Sequence, residues 1–87
     1  MRTPVDDSTL AMLVTEQLQV RISSGDMFTA YNITQMLRHR HPDRHIAHAV
    51  VRVLVHRLME AHIHAGEYDT AQRYFGRRSA VLYRPRS

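Results

Sequence analysis

The sequence predicts a single α+β domain in which three helices are followed by a C-terminal β-hairpin. Three stretches carry apolar residues at helical spacing, and two β-prone runs then flank a loop that contains glycine. Glycine and proline separate these stretches, at Pro4, Gly25, Pro42, Gly66, Gly76 and Pro85. A chain of 87 residues has no room for a second domain, so we expect residues 1–87 to fold as one unit.

The first helix is predicted over about residues 8–23. Asp7 or Ser8 is placed to cap it, because a short side-chain oxygen accepts hydrogen bonds from the free N–H groups of the first turn. An apolar stripe runs along this helix and comprises Leu10, Leu13, Val14, Leu18 and Ile22. So small a domain is not expected to cover the whole stripe, and we therefore expect the stripe to form the contact between the subunits of a homodimer.

A short second helix is predicted over about residues 30–40. Thr29 has the position of its N-cap, and Pro42 limits its C-terminal end because proline cannot continue a helix. Its apolar side repeats at helical spacing and comprises Ala30, Ile33, Met36 and Leu37.

The third helix is predicted over about residues 46–61, and its start is left open between Arg44 and His48. On a wheel of about 100° per residue, one arc is apolar and is predicted to face the core. That arc contains Ile46, Ala47, Val50, Val51, Val53, Leu54 and Leu58. The opposite side carries a polar stripe of His45, His48, Arg52 and His56.

The hairpin is predicted over about residues 67–84. Residues 68–75 and 80–83 are β-prone, and the four residues Gly76-Arg77-Arg78-Ser79 between them are predicted to form the loop. The aromatic residues of this region are expected to fill the inner face of the hairpin; they are Tyr68, Tyr74, Phe75 and Tyr83. Two adjacent arginines lie at the predicted loop tip.

Basic charge is concentrated in the second half of the chain. All 12 basic residues are arginine, against 8 acidic residues, for a formal net charge of +4. Residues 1–35 carry two arginines and four acids, and residues 36–87 carry ten arginines and four acids. Exclusive use of arginine is typical of a GC-rich genome, but the guanidinium group also suits phosphate and base edges. The asymmetry indicates a polyanionic partner.

The order of these elements resembles a winged helix-turn-helix DNA-binding domain. The resemblance is carried by residues 28–38 as the scaffold helix, 46–59 as the recognition helix and 68–83 as the wing. The turn over residues 41–44 is longer and more polar than the tight glycine turn of simple phage repressors. The resemblance implies that the third helix enters the major groove and that the wing lies over a neighbouring minor groove or the phosphates.

The resemblance also implies which residues contact duplex DNA. The third helix and the residues before it supply Arg44, His45, His48 and Arg52, and the wing supplies Arg77 and Arg78. Thr29, Tyr31 and Asn32 lie where free N–H groups of the scaffold helix can meet a phosphate. The implied function is a small transcriptional regulator that binds DNA as a homodimer. We expect no small-molecule ligand, because the chain has no effector domain.

Other interpretations of the basic face remain open. The polar stripe is also what a solvated helix surface presents, and the face is suited to RNA or to an acidic protein partner of an inhibitor or assembly factor. A metal is a further alternative, since imidazole binds zinc or nickel and four histidines lie close together, at His39, His41, His45 and His48. No H-E-x-x-H or Cys/His motif appears, so we expect neither a metal site nor a cofactor.

Composition and motifs argue against several other classes. The absence of cysteine excludes disulfide scaffolds, thiolate zinc sites and cysteine nucleophiles. The chain has no glycine-rich phosphate loop and no nucleophile elbow, so we do not expect an enzyme. No apolar run approaches the roughly 20 residues that span a bilayer, and no secretory signal is recognised. We expect a cytoplasmic protein, either nucleoid-associated or of viral or plasmid origin, in a prokaryotic host.

Overall fold

The structure, a computed structural model, describes residues 3–86 and has an α+β architecture. The helices are α1 (Asp7–Ser24), α2 (Ala30–Arg40) and α3 (His48–His64). The strands are β1 (Thr3–Pro4), β2 (Phe28–Thr29), β3 (Arg44–His45), β4 (Tyr68–Phe75) and β5 (Arg78–Pro85). Three helices with a small antiparallel sheet at the C-terminal end are compatible with a winged helix.

The main sheet has the strand order β2-β5-β4 and is antiparallel throughout. The central strand β5 pairs along its length with β4, whereas β2 pairs with it only through Phe28↔Tyr83 and Thr29↔Leu82. Beyond that short pairing, β4 and β5 continue as a two-stranded ribbon.

A second, parallel pairing joins β1 to β3 with Thr3 opposite Arg44. The N–H of Thr3 also donates to the carbonyl of Asp43 at 2.9 Å, which ties the N-terminal segment to the turn before α3. The sequence did not predict this pairing, because two residues are too few to show the period-2 alternation that marks a strand.

Helix α1 begins one residue earlier than predicted, and its cap is Asp6 rather than Asp7 or Ser8. An Asp6 carboxylate oxygen accepts from the N–H of Thr9 at 2.7 Å, and the hydrogen bonds with Thr9 hold the pKa of Asp6 below its usual value. The helix ends at Ser24 and is capped by Gly25, whose φ of 67° lies in the left-handed region that glycine adopts without strain.

Helix α2 has the bounds that the sequence predicted, and a reciprocal capping box fixes its start. The Thr29 hydroxyl oxygen accepts from the N–H of Asn32 at 3.2 Å, and the Asn32 side chain accepts from the N–H of Thr29 at 2.9 Å. At the other end, the guanidinium of Arg38 donates to the carbonyl of Ile46 through Nε at 3.2 Å and Nη2 at 3.0 Å. This contact holds the turn between α2 and α3 in place.

Helix α3 differs from its prediction in the side that it buries and in where it ends. It begins at His48, the later of the starts that the sequence left open, and extends to His64 instead of ending at about residue 61. Its buried positions lie four residues apart, at Val51, Val55 and Met59. Val50 and Val53, predicted to face the core, are 40% and 53% exposed. The helix carries valine on nearly every side, so packing against α1 and α2 decides which side is buried.

The apolar stripe of α1 lies in the core of the chain itself. Leu10, Val14 and Leu18 are buried, and Leu13 and Ile22 are partly buried against the same cluster. Leu10, Val14 and Leu18 are therefore not available for the predicted contact between subunits in this fold, because α1 packs on α2 and α3 through them, whereas Leu13 and Ile22 keep part of their surface accessible. A homodimer remains a prediction.

The hairpin turn is shorter than predicted. It consists of Gly76 and Arg77 alone, because Arg78 already pairs with Phe75 as the first residue of β5. Gly76 has a φ of 61°, and a glycine with positive φ at the first of two loop positions is typical of a type II′ turn.

The aromatic residues of the hairpin do not all face inward as expected. Tyr68 and Tyr83 are buried and pack on Phe28, with ring centroids 6.0 Å and 5.5 Å away. Tyr74 and Phe75 are exposed, because they lie in the part of the ribbon that extends past β2. The core therefore ends at Tyr83, and the hairpin tip stands in solvent.

The placement of the α1 stripe leads to a stability prediction. Leu18→Ala should lower the free energy of unfolding by about 2–5 kcal/mol, because the truncation removes buried apolar contacts and leaves a cavity. The matched change Val20→Ala, at an exposed position of the same helix, should shift it by less than about 0.5 kcal/mol. Urea unfolding followed by circular dichroism measures both. If both variants changed the free energy of unfolding by the same small amount, Leu18 would be exposed and could form the predicted subunit contact.

Candidate nucleic-acid interface

An open groove of about 550 Å³ lies between α3 and β5 and also includes the first turn of α2. We call it the α3–β5 groove. Helix α3 lines it with Arg52, His56 and Arg57, and β5 lines it with Ser79 and Val81. The buried positions of α3 recur every four residues, so Arg52 and His56, also four apart, project together from another side of the helix. The groove is thus where the basic side of α3 meets the hairpin.

Most of the charged side chains that line the groove are basic. Arg52 and Arg57 contribute fixed positive charges, and the described groove-lining residues include Glu60 as their single acid. The carboxylate of Glu60 lies 3.9 Å from Nε2 of His56, so its nearest basic partner belongs to the same helix. An anion in the groove would meet two guanidinium groups and one opposing carboxylate.

His48 stands at the inner side of the groove with a lowered pKa. Burial is the main cause of this shift, and the positive charges of Arg52 and Arg38 add to it. The ring lies edge-on to Tyr31, with 5.8 Å between the ring centroids. At neutral pH the side chain is therefore the neutral imidazole, and it adds no positive charge to the groove.

The Thr34 hydroxyl contacts one ring nitrogen of His48. The Thr34 hydroxyl lies 3.0 Å from the carbonyl oxygen of Ala30 and 3.0 Å from Nδ1 of His48. A hydroxyl has one hydrogen. The hydroxyl donates either to the Ala30 carbonyl, while its oxygen accepts from a protonated Nδ1, or to an unprotonated Nδ1, and the two arrangements belong to the two tautomers of the neutral ring. In both, the contact with Thr34 holds the ring through Nδ1 and leaves Nε2 as the other hydrogen-bonding atom of the side chain.

Two of the predicted contact residues lie before α3 and not on its groove side. Arg44 and His45 form β3 and are exposed, but neither lines the α3–β5 groove. The Nε atom of Arg44 is 4.0 Å from the carboxylate of Asp43, a weak surface contact that leaves the guanidinium accessible. The wheel placed His45 beside His48, but His45 lies in an extended segment and is not part of the helical stripe.

The predicted hairpin residues Arg77 and Arg78 are both exposed at the tip. Arg77 occupies the turn, and Arg78 pairs with Phe75 at the start of β5. Arg73 adds a third arginine on β4, with its guanidinium carbon 5.3 Å from the ring centroid of Phe75. The tip therefore carries more charge and more aromatic surface than the sequence interpretation assigned to it.

The start of α2 offers less to a phosphate than predicted. Thr29 is buried, and its hydroxyl is used in the capping box with the Asn32 side chain. Both side chains are thus already hydrogen-bonded within the helix end. Tyr31 is different, because it is 50% exposed and lines the groove beside His48. Of the three residues predicted at this helix start, Tyr31 is the one whose side chain reaches the candidate interface.

The sequence interpretation missed other groove residues. Val53 fell in the arc predicted to face the core, yet it lines the groove together with Arg57. They are exposed because α3 buries a different side from the one that the sequence predicted. No local sequence signal distinguishes Val53 from the buried Val51. They also line a second groove of about 430 Å³ between the start of α1 and α3, together with Val50. The exposed side of α3 is therefore partly apolar as well as basic.

Three further observations bear on the class of site. In residues 3–86, no three histidine, aspartate or glutamate side chains are arranged to hold a metal ion. None of the helices described here has the length and apolar character needed to cross a membrane. No protein-family model, curated protein or solved structure matches the chain.

The neutral state of His48 predicts a pH-dependent stability. Its pKa is lowered in the folded chain, so the stability it contributes is fully present above the unfolded pKa of about 6.5 and is lost as pH falls through the folded pKa. Between about pH 7.5 and 5.5, the wild-type chain should lose more free energy of unfolding than His48→Gln, whose amide does not titrate. Urea unfolding at both pH values measures this difference.

A matched control is His64→Gln, which changes an exposed histidine at the other end of the same helix. This variant should keep the larger wild-type loss of stability. An equal pH dependence in the wild-type chain and His48→Gln would contradict the neutral, hydrogen-bonded state of His48.

Proposed function

We propose that this chain is a small DNA-binding protein that regulates transcription, with α3 in the major groove and the hairpin tip on the flanking backbone. One observation carries the proposal. Arginines of α3 line one open groove, further arginines stand at the tip of the adjoining hairpin, and a single acid lies among the described groove-lining residues. Such a surface matches the dense, regular negative charge of a duplex.

The groove also offers groups that distinguish bases. The guanidinium of Arg52 can donate two hydrogen bonds to the major-groove edge of guanine. The exposed Val53 can contact the methyl group of thymine, and Nε2 of His48, as a donor or an acceptor according to the tautomer, can hydrogen-bond a base edge. Arg52 and Val53 are exposed on the same helix, as direct readout in the major groove requires, and His48 lines the groove beside them.

The tip residues Arg77 and Arg78 take a different role in the proposal. They are exposed and stand on the turn and at the first position of β5, outside the residues that line the α3–β5 groove. We assign them to phosphates, where an arginine gives affinity without sequence preference. The proposal includes a cytoplasmic regulator of a prokaryotic host, or of its viruses or plasmids, acting on a two-fold site as a homodimer.

An acidic protein is the second candidate partner. The exposed Val50 and Val53 favour it, because apolar side chains beside arginines also suit a protein interface. The two candidates differ in their dependence on salt. Duplex affinity that falls steeply with salt supports DNA binding, whereas a discrete protein complex that survives high salt supports the second candidate. Single-stranded and double-stranded RNA competitors distinguish RNA from DNA in the same assay.

The test of the proposed function is selection of bound sequences from random duplexes, followed by fluorescence anisotropy with the selected and a scrambled duplex. We expect enrichment of a defined motif and tighter binding to the selected duplex at every salt concentration. Absence of both enrichment and salt-dependent binding would overturn the proposal.

Arginine variants separate the roles of helix and hairpin. Arg52→Gln should reduce the preference for the selected duplex by about 1–3 kcal/mol, because the variant side chain cannot make the bidentate hydrogen bonds to guanine. The double variant Arg77→Gln, Arg78→Gln should weaken binding to the selected and the scrambled duplex alike. It should also lower the salt slope, the slope of log affinity against log salt concentration, by about 0.9 for each phosphate that is no longer neutralised.

The matched control is Arg21→Gln, which removes the same charge from the last turn of α1, away from the groove-lining residues. It should leave sequence preference intact and change the salt slope least. Arg52→Gln with unchanged preference would remove Arg52 from base recognition, and an unchanged slope in the double variant would remove the tip arginines from the phosphates.

A further inference from the structure

The hairpin tip presents two aromatic side chains to solvent. Tyr74 is 74% exposed and Phe75 is 55% exposed, which makes Tyr74 the most exposed large apolar side chain in the described part of the chain. The two tyrosines nearer the base of the hairpin, Tyr68 and Tyr83, are buried in the core. Hydrophobic burial therefore explains the lower aromatic pair and does not explain the pair at the tip.

Strand pairing places the two tip aromatics on opposite faces of the ribbon. Tyr74 pairs with Ser79 and shares its face with Val81, and both of these β5 residues line the α3–β5 groove. Phe75 pairs with Arg78 and lies on the other face, where it contacts the guanidinium of Arg73. Tyr74 is thus the tip aromatic on the face that adjoins the candidate interface.

The charge around the tip identifies the kind of partner. Arg73, Arg77 and Arg78 lie within the segment 70–82, which contains no acidic residue. Two copies of so basic a tip repel each other, and the same charge attracts nucleic-acid phosphates. Gly76 has no side chain and open space around it, so the turn itself adds little bulk where its neighbours approach a duplex.

We propose that Tyr74 is a wedge that stacks into a base-pair step of the minor groove beside the α3 site and bends the duplex. Aromatic and apolar side chains inserted in this way unstack the two base pairs and kink the DNA. The neighbouring arginines would contact the phosphates on either side. The inference rests on the proposed function and adds a DNA distortion to it. Its consequence is that the chain shapes its target as well as recognising it.

The experiment uses the full chain and a duplex of about 30 base pairs that carries the selected motif, with donor and acceptor dyes at its ends. A second set of duplexes carries 2-aminopurine at successive positions beside the motif. Wild-type protein should raise the transfer efficiency between the ends and increase the 2-aminopurine fluorescence at one step. Tyr74→Thr keeps a residue of high strand propensity at this position but should abolish both signals and weaken binding about tenfold.

Three further variants complete the design. Tyr74→Phe should keep both signals, because stacking needs the ring and not the hydroxyl. Arg77→Gln should weaken binding but keep the bend, and Val20→Thr, at an exposed position of α1, should match the wild type. Circular dichroism of each variant confirms that the fold is retained.

The outcomes separate the wedge from the proposed function. A chain that binds no duplex would overturn the proposed function and the wedge with it. A chain that binds the selected duplex with no bend and no 2-aminopurine signal would overturn the wedge alone. Sedimentation equilibrium that shows a dimer in the wild type and a monomer in Tyr74→Thr would assign the tip to a contact between two copies and overturn the wedge.

Discussion

The contact of Phe28 with Tyr68 and Tyr83 fixes the hairpin against the helices. The three rings are buried together, with centroid distances from Phe28 of 6.0 Å and 5.5 Å. Burial raises the pKa of both tyrosines, so their hydroxyls stay protonated. The hydroxyl of Tyr68 donates a hydrogen bond to the carbonyl of Asp26 at 3.2 Å. The Tyr83 hydroxyl lies 3.4 Å from Nδ1 of His56 on α3. This cluster holds β5 beside α3, and the α3–β5 groove is the space between them.

Where the determinants of the fold are local, the sequence was sufficient to predict it. The bounds of helix α2 follow from the N-cap at Thr29 and from Pro42, which cannot continue a helix. Both signals lie in the local sequence. The side of α3 that is buried could not be derived in this way. Val50, Val51 and Val53 have the same side chain, and only the packing of α1 and α2 decides that Val51 is the buried one. The short β1–β3 pairing is likewise a tertiary contact without local signal.

The candidate site shows the same division. Exposed arginines such as Arg52 and Arg77 could be predicted, because charged side chains remain in water wherever the backbone places them. The state of His48 could not, since it depends on Thr34, fourteen residues earlier in the chain, and on burial. The exposure of Tyr74 also escaped prediction, because it depends on how far the ribbon extends beyond its pairing with β2. Charge was thus predictable, whereas hydrogen-bonding state and aromatic exposure were not.

The burial of the α1 stripe limits the apolar surface that α1 can offer to a partner. With Leu10, Val14 and Leu18 in the core, α1 has only separated apolar residues at its surface, such as Met12 and Val20. A single α3 contacts a short stretch of duplex, so each subunit of the proposed homodimer gains affinity from a second contact within its own chain. The arginine-rich hairpin tip provides a surface of that kind, on the part of the ribbon that extends past β2. In the proposed complex, the hairpin therefore adds backbone contacts to those that α3 makes in each half-site.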